Sequence, residues 1–115
     1  MSERQVENSI PVLGVRGLAA SVAFYRDVLG FEVEWNAGEI CSVARDGCSI
    51  MLQVRPDAGR GTVWIGLDGE ALIAAAMKSG AMILQPPTNH PWAFDMKLAD
   101  PDGNVVWLGA EPRPK

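Results

Sequence analysis

Asp100-Pro101-Asp102-Gly103-Asn104-Val105-Val106-Trp107-Leu108 runs near the C-terminus, and about half a chain earlier runs a shorter echo, Arg45-Asp46-Gly47-Cys48-Ser49-Ile50-Met51-Leu52. Laying Asp46-Gly47 on Asp102-Gly103 places Met51 over Trp107. A second pair of echoes supports the overlay. Val15-Arg16-Gly17-Leu18 opens an apolar stretch that ends at Leu29-Gly30, and Leu67-Asp68-Gly69-Glu70 opens another that ends at Ser79-Gly80. A repeat of this length makes each copy half a domain, because one copy cannot cover its own apolar face. The chain therefore reads as a single domain over residues 1–115, with repeat units at about 8–54 and 62–111.

Ile10 to Val15 reads as a strand, with Pro11 favouring its start or a sheet edge. Leu18, Val22, Tyr25 and Leu29 are spaced for one face of a helix, and Gly30 stands where a C-terminal cap belongs. Phe31-Glu32-Val33-Glu34-Trp35 alternates, which predicts a half-buried strand. Glu39–Arg45 and Cys48–Val54 form a hairpin about Asp46-Gly47. Unit one is thus βαβββ, and residues 55–61 connect it to a second unit of the same order. There, Thr62–Leu67 is a strand. Asp68 is placed to cap a helix running through Lys78 and stopping at Gly80. Ala81–Leu84 is a short strand, Gln85–Trp92 a loop, Ala93–Ala99 an alternating strand and Val105–Ala110 the last strand. The fold class is α+β.

With 48% hydrophobic and 21% charged residues among 115, the chain is globular rather than disordered. No apolar run nears the roughly 18 residues that span a bilayer, and the start, Met1–Asn8, is polar. The expectation is a cytoplasmic protein with no membrane partner. A net charge of −4 argues against nucleic acid, whose affinity rests on basic side chains. Glu32, Glu34, Glu39 and Asp46, offset by Arg45, read as a solvated sheet edge. In the predicted hairpin Arg45 faces Cys48 and Cys41 faces Leu52. The two thiols, the only cysteines, are then too far apart for a disulfide and read as small buried groups.

The order of elements, the stretch Phe24-Tyr25-Arg26-Asp27-Val28-Leu29-Gly30-Phe31 and the Asp100–Asn104 turn resemble the glyoxalase / bleomycin resistance / extradiol dioxygenase superfamily, also called vicinal oxygen chelate proteins. The resemblance runs from about Ile10 to Glu111. It is greatest to bleomycin resistance proteins, through Pro11-Val12-Leu13, Phe24–Asp27, Leu29-Gly30-Phe31, Pro91-Trp92, Asp100-Pro101 and Gly103-Asn104. It implies two βαβββ units forming a curled mixed sheet around a cleft. Enzymes of the superfamily hold a divalent metal there on four inward side chains, mostly His and Glu. Those positions fall on Ile10, Met51, Thr62 and Trp107, which are not a competent donor set. The resemblance therefore implies no cofactor, no catalytic residue and no metal. It implies instead a homodimer that binds a bleomycin-type drug and sequesters it.

The residues then suggest what lines the cleft. Trp107 and Met51 occupy the inward positions, and Trp64 lies two residues beyond Thr62 on the same strand face. Trp92 sits in the long loop, and Trp35 ends a strand beside the acidic segment. Indoles on a cleft suit a flat or cationic ligand through stacking and cation–π contact. Asp95 and Lys97 face away from Phe94, Met96 and Leu98, so Asp95 is a candidate counter-charge. The candidate ligand-binding residues are Trp35, Met51, Trp64, Trp92, Asp95 and Trp107. His90, the single histidine, lacks a partner in sequence and reads as polar surface or a ligand contact. The Asp100–Asn104 turn does not fit a calcium loop, since Val105 stands where such a loop requires glycine. The alternative function is an enzyme of the same superfamily, a lyase, isomerase or thiol transferase with an atypical or absent metal. A third is a structural domain whose cleft is filled by Met51 and Trp107.

Overall fold

The computed structural model describes residues 3–114; Met1 and Ser2 of the polar start and Lys115 of the tail lie outside the described residues. Unit one contains β1 (Val12–Val15), α1 (Leu18–Leu29), β2 (Glu32–Asn36), β3 (Ile40–Arg45) and β4 (Cys48–Val54). Unit two contains β5 (Thr62–Gly66), α2 (Ala71–Lys78), β6 (Ile83–Asn89), β7 (Phe94–Ala99) and β8 (Val105–Ala110). The units form four-stranded sheets of matching order, β1-β4-β3-β2 and β5-β8-β7-β6. In each, the first strand pairs parallel with the last and the remaining ladders are antiparallel. The duplication read in the sequence is a duplication of architecture, and the two sheets do not close into a barrel. No helix among the described residues is long and apolar enough to cross a membrane.

The helices cover one face of each sheet. Leu13, Val15, Cys41, Val43, Ile50 and Leu52 of the first sheet join Tyr25 and Leu29 of α1 in the core. Met96, Leu98, Val106 and Leu108 of the second sheet join the same core, together with Ile73 and Ala76 of α2. The hydrophobic periodicity that predicted α1 thus marks its buried stripe. Gly30 closes the helix with φ 73°, a left-handed conformation that an L side chain would strain. Asp46 and Gly47 both have positive φ, 51° and 78°, as the tight hairpin turn requires.

Four sequence expectations need correction. Asp68 does not cap α2; the helix begins at Ala71, Glu70 stands at the cap, and no side chain bonds there. β2 is not half buried, because it is an edge strand and only the preceding Phe31 is buried. The register breaks between Val33 and Trp35, and the Glu34 carboxylate accepts hydrogen bonds from Ser42 and Ser49 Oγ, both at 2.7 Å. Gln85–Asn89, expected as loop, continues β6. Pro86 and Pro87 are tolerated because β6 is also an edge and its pairing with β7 shifts register around them. Cys48 is exposed rather than buried; Cys41 is the buried thiol, and both are free.

The Asp100–Asn104 turn joins the two units. Asp100 Oδ1 accepts the backbone N–H of Asp102 and of Asn104, and Oδ2 accepts the Tyr25 hydroxyl at 3.0 Å. Asn104, fully buried, donates to the Gly14 carbonyl and accepts from the Gly61 N–H. Asp102 accepts from the Arg16 backbone N–H, the Arg16 guanidinium and, at 3.4 Å, the Ser21 hydroxyl. Burial beside Asp100 pushes the Tyr25 phenol far above its ordinary pKa, so it remains a donor at all working pH. The equivalent turn of unit one, at Asp46-Gly47, instead borders an open crevice shared with Leu67, Asp68 and Leu72.

Candidate functional site

The helix-free face of the second sheet carries an aromatic cluster. Cross-strand register sets Trp64 of β5 opposite Trp107 of β8, and Trp107 opposite Lys97 of β7. The two indoles meet edge to face with ring centres 5.0 Å apart. The Trp92 ring meets Trp107 in the same manner at 5.9 Å and stacks on His90 at 4.7 Å with planes 9° apart. Trp92 is brought there by the β6–β7 hairpin, whose tip is closed by the His90 N–H bonding the Ala93 carbonyl at 2.8 Å. Trp64 packs down on Gly109, where any Cβ would strike its ring. A side chain there would displace the indole, so glycine fixes how Trp64 sits.

Beneath the rings lies Asp95, 1% exposed. Its Oδ2 accepts the Trp107 indole N–H at 2.7 Å, and its Oδ1 accepts the Gln85 amide at 2.7 Å and His90 Nε2 at 2.9 Å. An ionised carboxylate only accepts, so Nε2 of His90 carries the proton. Burial pushes the Asp95 carboxyl up, but the hydrogen bonds from Trp107, Gln85 and His90 and the His90 charge outweigh it, and the pKa lies below the usual carboxylate range. Lys97 Nζ covers one face of Trp107 at 4.6 Å. Trp107 is thereby engaged by Lys97 on a ring face, by Asp95 at the N–H and by two perpendicular indoles. Trp64 and Trp92, 47% and 58% exposed, keep ring surface open to solvent.

Of the six residues singled out in sequence, the structure brings Trp64, Trp92, Asp95 and Trp107 together. Trp35 and Met51 lie in the other sheet, each opposite Ser42 in its ladder, and make no aromatic contact with the cluster. Asp95 is on the face expected but is saturated, so it anchors the cluster and is not an open counter-charge. Sequence reasoning missed His90 and Gln85 as Asp95 partners. The only signal was that His90 stands five residues before Asp95, which places both near one hairpin tip, with Thr88 directly opposite Asp95. The positions at which the superfamily's enzymes hold metal do not fit one here. Ile10 offers no donor, Met51 only a thioether, and Trp107 an N–H already given to Asp95. Among the described residues no three His, Cys, Asp or Glu side chains cluster to hold an ion.

Two βαβββ units whose four-stranded mixed sheets do not close are the arrangement of the glyoxalase and bleomycin resistance fold. The chain belongs to the glyoxalase-like domain family, whose profile matches residues 12–108. Solved structures agree. The bleomycin resistance determinant encoded on the transposon Tn5 superposes with a TM-score of 0.80 at 20% identity, over 92% of this chain and 98% of that one. A bleomycin-binding protein from bleomycin-producing Streptomyces verticillus, complexed with copper(II)-bleomycin, gives 0.80 at 22%, over 94% and 98%. An antibiotic-binding protein from a Streptomyces species gives 0.76 at 22%, over 94% and 99%. No curated protein matches the chain in sequence.

Proposed function

We propose that the protein binds a cationic, partly aromatic small molecule of the bleomycin type and withholds it, without a metal and without chemical change. The observation that carries this reading is the indole cluster on the open face of the second sheet, with Trp64 and Trp92 exposed and held in orientation. Indole faces attract cations by roughly 0.5–2 kcal/mol each, more when water is excluded. Sequestration needs no further machinery, since protein in excess of a toxic ligand lowers its free concentration by mass action. The same fold serves the bleomycin-binding and antibiotic-binding proteins named above.

The reading extends to a cytoplasmic homodimer. The helix-free face of the first sheet leaves Val12 and Trp35 exposed, with Met51 beside them. In the proposed pair, that face of one copy stands against the indole cluster of the other, and Trp35 and Met51 complete the ligand's surroundings from across the interface. Calorimetric titration with metal-free bleomycin tests the function. Saturable binding that chelator leaves unchanged supports it, and absence of binding to bleomycin and to other cationic aromatics sinks it.

An enzymatic reading has one observation in its favour, the imidazole of His90 oriented by a buried carboxylate in the manner of a general base. Uptake and turnover of an anionic thiol or acyl conjugate, with indifference to bleomycin, would make that reading the better one.

A further inference from the structure

We infer that Asp68 and Glu111 read the ligand's positive charge, in a slot that they line together with Trp64 and Trp92, and that this pair selects cations over neutral molecules of the same shape. The inference rests on the aromatic face being the ligand site and names the charge-selecting residues of that site.

The slot, of about 480 Å³, lies where β5 and β8 end against the tip of the β6–β7 hairpin. Trp64, Trp92, Gly66 and Gly109 are among the residues that line it. The side chains able to receive a ligand's charge are few. Asp95 is buried with both oxygens engaged, and Glu70, at the start of α2, is tied to Arg113 through contacts of 2.6 to 3.2 Å. The ring face of Trp107 is covered by Lys97. What remains beside the open indole faces is Asp68, two residues after β5, and Glu111, directly after β8. Both are exposed, and among the described residues they are the only charged side chains lining the slot. Among the described residues neither belongs to an ion pair.

A planar ring that settles against the exposed indole surface packs on it whatever its charge. A positive centre at its edge or on a short arm then meets two carboxylates, with no basic side chain among the described residues that line the slot, while a negative one is repelled by both. Stacking sets affinity for shape, and the acid pair sets the sign of charge. The ligand class is therefore a planar heteroaromatic bearing a fixed or protonated cation at its periphery. Because the carboxylates are exposed, the selectivity is sensitive to salt.

The test uses the whole protein and three probes of one shape, N-methylacridinium, neutral acridine at mildly alkaline pH and acridine-9-carboxylate, followed by quenching of tryptophan fluorescence. Wild type binds the cation on the order of tenfold more tightly than neutral acridine at low salt, and the anion least. In the double variant Asp68→Asn, Glu111→Gln the preference for the cation falls below about twofold, affinity for neutral acridine is unchanged, and added salt no longer matters. Unchanged binding of the neutral probe also shows that the double variant is folded. If the double variant keeps the wild-type preference, the acid-pair assignment is wrong and the aromatic site stands. If no probe binds wild type, the reading of the aromatic face falls and this inference falls with it.

Discussion

Asp95 shows how a side chain can be placed on the right face from sequence while its hydrogen-bond partners stay hidden. Alternation along β7 put it opposite Phe94, Met96 and Leu98, and that is where it lies. Its saturation was illegible because the partners come from β6, the hairpin tip and β8, and no local pattern ties Gln85, His90 and Trp107 to one carboxylate. Replacing it tests the structural role. In Asp95→Asn one acceptor oxygen becomes a donor facing a donor, and the variant is expected to lose about 1–3 kcal/mol of stability in urea denaturation. The pH dependence has a defined sign. The folded-state pKa lies below that of the unfolded chain, so the stabilisation is complete above the ordinary carboxylate range near about 4 and is lost as pH falls through the lower folded value. Wild type should therefore weaken on acidification more steeply than Asp95→Asn, and equal slopes would show that the hydrogen bonds do not favour the ionised form. Trp107, chosen because it occupies a superfamily ligand position, is the hub on which the other rings are hung.

The elements were legible in proportion to how local their determinants are. The limits of α1, β4 and β8 match the pattern because helical spacing, a tight turn and a continuous apolar run are read from adjacent residues. β6 was misread because Pro86 and Pro87 are poor strand residues in general, whereas an edge strand with shifted register has spare positions for them. This strand also presents Trp92, and the C-terminal tail secures it. Asn89 Oδ1 accepts the Arg113 backbone N–H and Asn89 Nδ2 donates to the Arg113 carbonyl, while the Arg113 guanidinium lies 3.9 Å from the centre of the Phe94 ring and grips Glu70. Asn89 and Phe94 are the last pair of the hairpin before its tip. Arg113→Met should free the tip and weaken bleomycin binding roughly three- to tenfold by undoing this preorganisation. Its urea midpoint should barely move, since the ion pair is exposed. A large loss of stability with unchanged binding would mean that the tail supports the fold and not the hairpin tip.

At the scale of the whole molecule the notable quantity is shape. The Cα trace measures 48 × 47 × 22 Å, a plate rather than a sphere, and the residues expected around one cleft divide between its two sheets. A second copy would cover Val12 and Trp35 on the helix-free face of the first sheet and bring Trp35 and Met51 back to the indoles. Sedimentation at micromolar concentration should then show about twice 12.4 kDa. A monomer that still binds bleomycin would mean that Trp64 and Trp92 suffice alone. That the halves would divide in this way was not legible, because the repeat announces two similar units without saying how they meet. The meeting is specified by the Asp100–Asn104 turn, whose ligation of Tyr25, Gly14 and Gly61 crosses the whole chain. The counterparts of Asp100 and Asn104 in unit one are Ala44 and Cys48, which can form no such clasp. The two halves are therefore not interchangeable. A protein assembled from two copies of the first half would have a crevice at both seams and a fastening at neither, so exact symmetry could be written into the sequence only by dismantling the joint that makes the halves one body.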